Sequence, residues 1–485
     1  MKKTFIMTSI LSLLLLVTAC QQNITARHTL DEVLPSIELF LDHSVSHDTR
    51  LPLFEGTTIT YKIDGSAVED LRLFERPIYD SYLPVEIKIY AQDETKTIQQ
   101  DIYVLSDYSP KHNYEIHLSD VDFENISKET FSSSTISLYQ EYTMLFEKEG
   151  QVRGRGNSNW FSYEKKSYRI SFSEDVEMMG LRAHHDYLLI GMHADKSLIR
   201  DTLAHQLSIL MELEITQDTR YVELYVNDNY HGLYTLIEDR TYIKTGDDPL
   251  SFALELDYRI DWDQTGEPHI RIDGAPYGIK RSLDLDPETL SGIQTYLNDV
   301  LQDLQNGVIH PDIDVTNWVK YMFIQELFKN VDAWGLSVFI YRDQEGLLKF
   351  GPVWDFDFAL GNADYVGDQY FEPEGFFLAF DFRMTWFFHA IQIDAFKDAF
   401  KNEIITYYQD ILPRYLTLIE VLGVSLIPYS ENNFNRWDVF NTYLWPNPMF
   451  MVEFETHMDH VLWIKNFVFE RSKWYQQAMF RQPFI

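Results

Sequence analysis

The hydrophobic period changes twice along this 485-residue chain, and those changes restrict the fold more than any single motif does. From Ser36 to Leu105 apolar residues recur at every second position, as in Ile37-Glu38-Leu39-Phe40, Thr58-Ile59-Thr60-Tyr61 and Val85-Glu86-Ile87-Lys88-Ile89-Tyr90. That is the pattern of half-buried strands. A hairpin is expected to join Val85–Tyr90 to Ile98–Leu105 through Asp93 and Glu94, so residues 36–110 read as a small β-sandwich module, with Ser106–Pro110 as its exit. From about Asn113 strands alternate with helices. Ser167–Phe172 reads as a strand, and Ser197–Leu213 as a helix with Leu198, Ile199, Leu203, Leu207 and Leu210 on one stripe. Hairpins are expected around Asn227-Asp228-Asn229 and around Glu345-Gly346. From about Thr385 the period is 3.6, with aromatic stripes in Phe396–Tyr408 and His457–Ala478. The fold class expected is therefore α+β, with a mixed domain over 111–380 and a helical C-terminal part over 381–485. At roughly 100 to 200 residues per domain the length accommodates three such bodies.

Ahead of the strands lie Lys2 and Lys3, an apolar run Phe5–Val17 that is short for a membrane span, and Thr18-Ala19 before Cys20. Leu16-Val17-Thr18-Ala19-Cys20 resembles the lipobox of bacterial lipoproteins. The resemblance implies a signal peptide over 1–20, a lipid on the Cys20 thiol, a polar tether over 21–35, and a body held at the cell envelope outside the cytoplasm. Cys20 is the sole cysteine, which excludes an intramolecular disulfide and a cysteine zinc cluster. The formal charge of −35, from 40 basic and 75 acidic residues, repels nucleic-acid phosphates and argues against nonspecific DNA or RNA binding. A 45% hydrophobic content with 33 Phe and 30 Tyr excludes a disordered acidic tract.

The densest chemistry lies between Asn330 and Asp364. Asn330-Val331-Asp332 precedes the second hairpin and Trp354-Asp355-Phe356-Asp357 follows it, so the hairpin should return Asp355 and Asp357 beside Asp332. Carboxylates that converge call for a cation, and a hard divalent ion such as Mg²⁺ takes one or two of them alongside phosphate oxygens. A base Asp, a ligand five residues on, a hairpin and a second metal-binding Asp is the layout of a phosphoryl-transfer site. The residue five positions after Asp332 is Ser337, whose hydroxyl is a weaker ligand than the amide expected there. Read instead as glycosidase carboxylates, Asp355 and Asp357 lie two positions apart on one strand and leave little room for a sugar between them.

Such a site also needs a cation on the phosphates. The candidates lie in Arg155-Gly156-Asn157-Ser158-Asn159-Trp160 and in Lys165-Lys166-Ser167-Tyr168-Arg169-Ile170-Ser171-Phe172. Lys166 shares parity with Tyr168, Ile170 and Phe172, which points it to the enclosed face and makes it the expected phosphate contact. Glu238, at the end of Leu233–Ile237, is the expected partner of Lys166. Arg200 sits in a helical first turn, where a cation is disfavoured by the helix dipole, so a buried carboxylate or a phosphate is expected beside it.

Together these segments resemble the CotH kinase family of atypical protein kinases. The resemblance rests on Arg155-Gly156-Asn157-Ser158 with Lys165–Ile170, Ala194-Asp195-Lys196-Ser197-Leu198-Ile199-Arg200, Tyr230-His231-Gly232-Leu233-Tyr234-Thr235-Leu236-Ile237-Glu238, Asn330-Val331-Asp332, and Trp354-Asp355-Phe356-Asp357 with Gly361. It implies a kinase-like two-lobed catalytic domain that moves the ATP γ-phosphoryl group to a protein serine or threonine with Mg²⁺ or Mn²⁺. By position, Asp332 is implied as the catalytic aspartate, Asp355 and Asp357 with Ser337 as the metal site, and Lys166, with Arg155, Glu238 and Arg200, as the nucleotide contacts. The alternative is a surface binding or adhesion lipoprotein, or pseudokinase, that keeps the scaffold without catalysis.

Overall fold

The computed structural model describes residues 29–481, apart from the stretches 42–44, 46–48, 50, 55–56, 70–73, 75, 78–79, 92–93, 241–249, 283–285, 366, 368–370 and 378–383. Cys20 and the segment expected to be a signal peptide lie outside the described residues. The chain divides into two compact units, 1–109 and 110–485.

In the first unit β1 (Thr57–Ile63), β2 (Ser66–Val68), β3 (Ser81–Ala91) and β4 (Glu94–Val104) form one antiparallel sheet in the order β2-β1-β3-β4. The expected pairing of β3 with β4 is present, Val85 lying opposite Gln100 and Ile89 opposite Lys96. Among the described residues this unit has one sheet and no second sheet to make the expected sandwich. Residues Leu30–Leu41 form a helix, and its Val33, Ile37 and Leu41 pack on Ile87, Ile89, Ile102 and Val104 in one core. Two features of the sequence oppose the alternating reading of Ile37–Phe40. Leu30, Val33, Leu34, Ile37 and Leu41 recur at helical spacing. Thr29-Leu30-Asp31-Glu32 is a capping box in which the Thr29 N–H donates to Glu32 Oε2 at 2.9 Å.

The second unit begins with a closed barrel of β5 (Tyr114–Ser119), β6 (Ser132–Gln140), β7 (Thr143–Arg155), β8 (Ser167–Val176), β9 (His184–Ile190), β10 (Arg220–Val226) and β11 (Asn229–Glu238). The barrel is closed by a parallel pairing of β10 with β5. Its alternating residues Ile116, Leu118, Ile136, Leu138, Val152, Tyr168 and Ile170 are at most 2% exposed, so its interior is a packed core. The helix Arg200–Leu210 links β9 to β10. It begins three residues later than the sequence predicts, because Asp195 accepts the N–H groups of Ser197 and Arg200 and holds the preceding turn out of the helix.

A five-stranded sheet follows in the order β13-β14-β12-β15-β16, from β12 (Phe252–Leu256), β13 (His269–Ile272), β14 (Ala275–Ser282), β15 (Val338–Arg342) and β16 (Leu348–Phe350). The helix Val315–Phe328 backs this sheet. Asn317 brackets Phe350, accepting its N–H at 2.7 Å and donating to its carbonyl at 3.1 Å, and Trp318 Nε1 donates to the Leu348 carbonyl. Lys329, at φ +46°, ends that helix in the left-handed conformation. The chain then turns directly into the segment that carries Asp332. The C-terminal part is helical, as expected, from Thr385–Ala390 to His457–Arg481. Its last helix is fixed by Arg471, which pairs with Glu326 at 3.2 Å where neither residue is exposed.

Candidate active site

Asp332 lies in a short 3₁₀ turn, Val331–Trp334, capped by the Asn330 side chain, which accepts the Asp332 N–H. The β15–β16 hairpin then returns the chain, so that Asp332, Ser337, Asp355 and Asp357 line a single cleft of about 450 Å³. Ser337 and Asp355 both adopt positive φ, +60° and +64°, and the Ser337 hydroxyl donates to Asp355 Oδ2 at 3.2 Å. The Asp355–Asp357 segment is tethered from behind, because the Phe356 N–H donates to Asp201 Oδ1 at 3.1 Å.

These carboxylates repel one another. Burial and then Asp355 push Asp332 up to about 7. Burial pushes Asp357 well above the usual carboxylate range, reinforced by Asp355, Asp332, Asp201 and Asp195. Asp355 is also raised by burial, with Arg155 opposing the shift and Asp201 adding to it. The donors are carboxylate and hydroxyl oxygens whose charge the neighbouring arginines offset only in part. That chemistry fits a hard divalent cation, which would be held by Asp355 and Asp357.

Three arginines of the cleft come from the outer face of the barrel. On β7 and β8, Val152, Tyr168 and Ile170 point into the packed interior, while Arg153, Arg155 and Arg169 point out and line the cleft. Arg240, Arg259 and Lys280 line it from beyond the barrel. Most of these are already paired: Arg169 with Asp186 and Asp239, Arg259 with Asp257, Lys280 and Arg240 with Glu255. Arg155 differs. Its guanidinium lies 5.5 Å from the centre of the Trp354 ring, and among the described residues no carboxylate forms an ion pair with it.

Three of the residues expected to contact nucleotide stand elsewhere. Lys166 donates to the Trp160 carbonyl and does not line the cleft. Parity marks the enclosed face of the strand, and in a closed barrel that face is the dry core, not a ligand face. Lys165 is not in the cleft either; it is buried, donating to Asn433 Oδ1 at 2.7 Å and to the Leu233 carbonyl. Glu238 is buried opposite Tyr187 on β9, with its carboxyl raised by burial and no contact to Lys166. Arg200 is fully buried. The carboxylate expected beside it is Asp195, and its Nε donates to the Ala359 carbonyl at 3.0 Å. Arg200 thus supports the loop after Asp357 and does not line the aspartate cleft.

The sequence reading gives no role to Asp201, Arg153, Arg169, Arg240, Arg259 and Tyr365. Arg153, Arg155 and Arg169 carried a usable signal, since the first two share one strand face and Arg153 pairs opposite Arg169. Tyr365, whose hydroxyl donates to Asp332 Oδ1 at 3.0 Å, carried none.

The sequence matches the family model described as CotH kinase protein over residues 152–475. That span contains every carboxylate of the cleft and excludes the first unit. No curated protein matches the chain significantly.

Proposed function

The chain belongs to the CotH kinase family, and from that premise we propose that it is an atypical protein kinase that moves the γ-phosphoryl group of ATP to a protein serine or threonine. The observation that carries this reading is the convergence of Asp332, Asp355, Asp357 and Arg155 on one cleft. In this reading the barrel and the five-stranded sheet with its flanking loops act as two lobes around the nucleotide. Asp332 orients the acceptor hydroxyl and takes its proton, for which a carboxyl poised near neutrality is suited. Arg155 holds phosphate oxygens, where a guanidinium without a carboxylate partner has donors to give. Asp355 and Asp357, with Ser337 hydrogen-bonded to the first, would hold Mg²⁺ or Mn²⁺. When bound, that ion supplies neutralisation of charge on the phosphate oxygens. The proposal places the protein at a bacterial envelope, anchored through Cys20, where it meets protein acceptors or a surface partner and no nucleic acid.

The second reading, a surface binding module that keeps the scaffold without catalysis, is favoured by the turning of Lys166 away from the cleft. Thermal melting with ATP separates the two. A kinase is stabilised by ATP only with Mg²⁺, and Asp355→Ala loses the effect; a binding module shows no Mg²⁺-dependent shift.

A further inference from the structure

We propose that Tyr365 is an internal phosphoryl acceptor, a self-phosphorylation site built into the mouth of the cleft. The proposal rests on the kinase reading of that cleft. A catalytic base must lie within hydrogen-bond reach of the proton it takes, and in this structure Asp332 is already so engaged. Tyr365 Oη donates to Asp332 Oδ1 at 3.0 Å, the contact an incoming acceptor hydroxyl has to make.

Among the described residues, of the three hydroxyls of Tyr163, Ser337 and Tyr365, two are committed elsewhere. Tyr163 is buried and donates to the Trp445 carbonyl at 3.0 Å. Ser337 donates to Asp355, not to Asp332. Among the described residues Tyr365 is the hydroxyl placed on the base. Its side chain enters from solvent, being 45% exposed, although its Oη reaches the aspartates. The ring is held against Trp445, centroids 5.8 Å apart and planes inclined by 31°. The preceding residue is tied to the same loop, the Asp364 N–H donating to the Pro446 carbonyl at 3.0 Å. Tyr365 therefore presents its hydroxyl as a substrate would, with the ring braced from the side.

The reaction balances without further reagents than a nucleoside triphosphate. The bond from the γ-phosphorus to the bridging oxygen breaks as a bond from the γ-phosphorus to Tyr365 Oη forms. The phenolic proton passes to Asp332 Oδ1, and nucleoside diphosphate leaves. Burial and Asp332 raise the phenol's affinity for its proton, so it reacts with the base's help and not as a preformed phenolate. After transfer the phosphoryl group faces Asp332, Asp355 and Asp357, and like-charge repulsion drives the modified side chain off the base. Asp332 is then open to a separate acceptor.

The purified chain, incubated with ATP, Mg²⁺ and an exogenous serine-containing acceptor protein, is mapped by peptide mass spectrometry over time. One phosphoryl group is expected on Tyr365, at a fractional rate independent of chain concentration, and absent at that position in Asp332→Asn and Tyr365→Phe. Labelling of the exogenous acceptor while Tyr365 stays unmodified overturns the proposal and leaves the kinase reading standing, as does a fractional rate that rises with chain concentration. Labelling of neither overturns both. A readout free of nucleotide checks the placement. Acetylation by N-acetylimidazole should modify Tyr365 at least about tenfold more slowly than Tyr142, which is 89% exposed, a ratio worth about 1.4 kcal/mol. Equal rates overturn the proposal.

Discussion

Replacing Asp332 by Asn should stabilise the metal-free protein at alkaline pH while abolishing phosphoryl transfer. Burial and the neighbouring Asp355 move the Asp332 carboxyl from 3.8 to about 7. At about 1.4 kcal/mol for each factor of ten in proton affinity, ionising it in the folded state costs about 4 kcal/mol more than in the unfolded chain. The carboxyl borders a water-filled cleft, so screening leaves about 2 kcal/mol. The sign follows from linkage: below about pH 4 both states hold the proton and there is no penalty. Between about 4 and 7 the folded state holds the proton and the unfolded state has lost it, so stability falls as pH rises. Above 7 the penalty is complete. Asn removes the charge and keeps an oxygen to accept from Tyr365. Thermal melts in chelator should therefore show Asp332→Asn above wild type by roughly 4 °C at pH 8, taking about 2 °C per kcal/mol, and equal to it at pH 4. A variant that melts at or below wild type at pH 8, or one whose gain is the same at both pH values, refutes the repulsion on which the metal-site assignment rests.

Arg155→Ala should raise the KM for ATP by about tenfold or more, the loss of a charge-assisted phosphate contact, while Lys166→Ala changes it by less than about threefold; steady-state kinetics on both variants checks this. Asp355→Ala should weaken Mg²⁺-dependent nucleotide binding by about 100-fold, measured by calorimetry. Gly232→Ala should cost about 2 to 3 kcal/mol in denaturant unfolding. Gly232 sits at φ +120°, and an added Cβ would stand 2.9 Å from both Asn433 Oδ1 and Trp437 Nε1. Arg471→Met should cost about 3 kcal/mol by removing the guanidinium paired with the buried Glu326 carboxylate, which keeps the Phe377 N–H and the Tyr475 hydroxyl as donors, read by the same unfolding curves.

The strands and hairpins of the second unit were legible because local rules settle them: the Asn227–Asn229 turn, the alternation in Ser167–Phe172, and the turn at Glu345-Gly346 that folds Asp355 back toward Asp332. What was not legible depended on closure. Alternation tells which residues share a face, but not that β10 pairs with β5 and makes one face a sealed core. Hence parity puts Lys166 on the ligand and, although Arg155 is singled out, gives no reason to single out Arg153 and Arg169 beside it. Arg200 shows the reverse case, where a local electrostatic oddity predicted a carboxylate partner, found in Asp195, but could not say that the pair is buried away from the cleft. In the first unit, alternation over four residues outweighed a capping box, and a helix was read as a strand. Tyr365 reaches Asp332 only through the loop that carries Trp445 and Pro446, some eighty residues further along the chain, which no local pattern reveals.

The most direct measurement is transfer of label from γ-labelled ATP to an acceptor protein by wild type and Asp332→Asn, with Mg²⁺ present or chelated. The account predicts labelling by wild type with Mg²⁺, none with chelator, and none by Asp332→Asn in either condition. Equal labelling by the two proteins contradicts it.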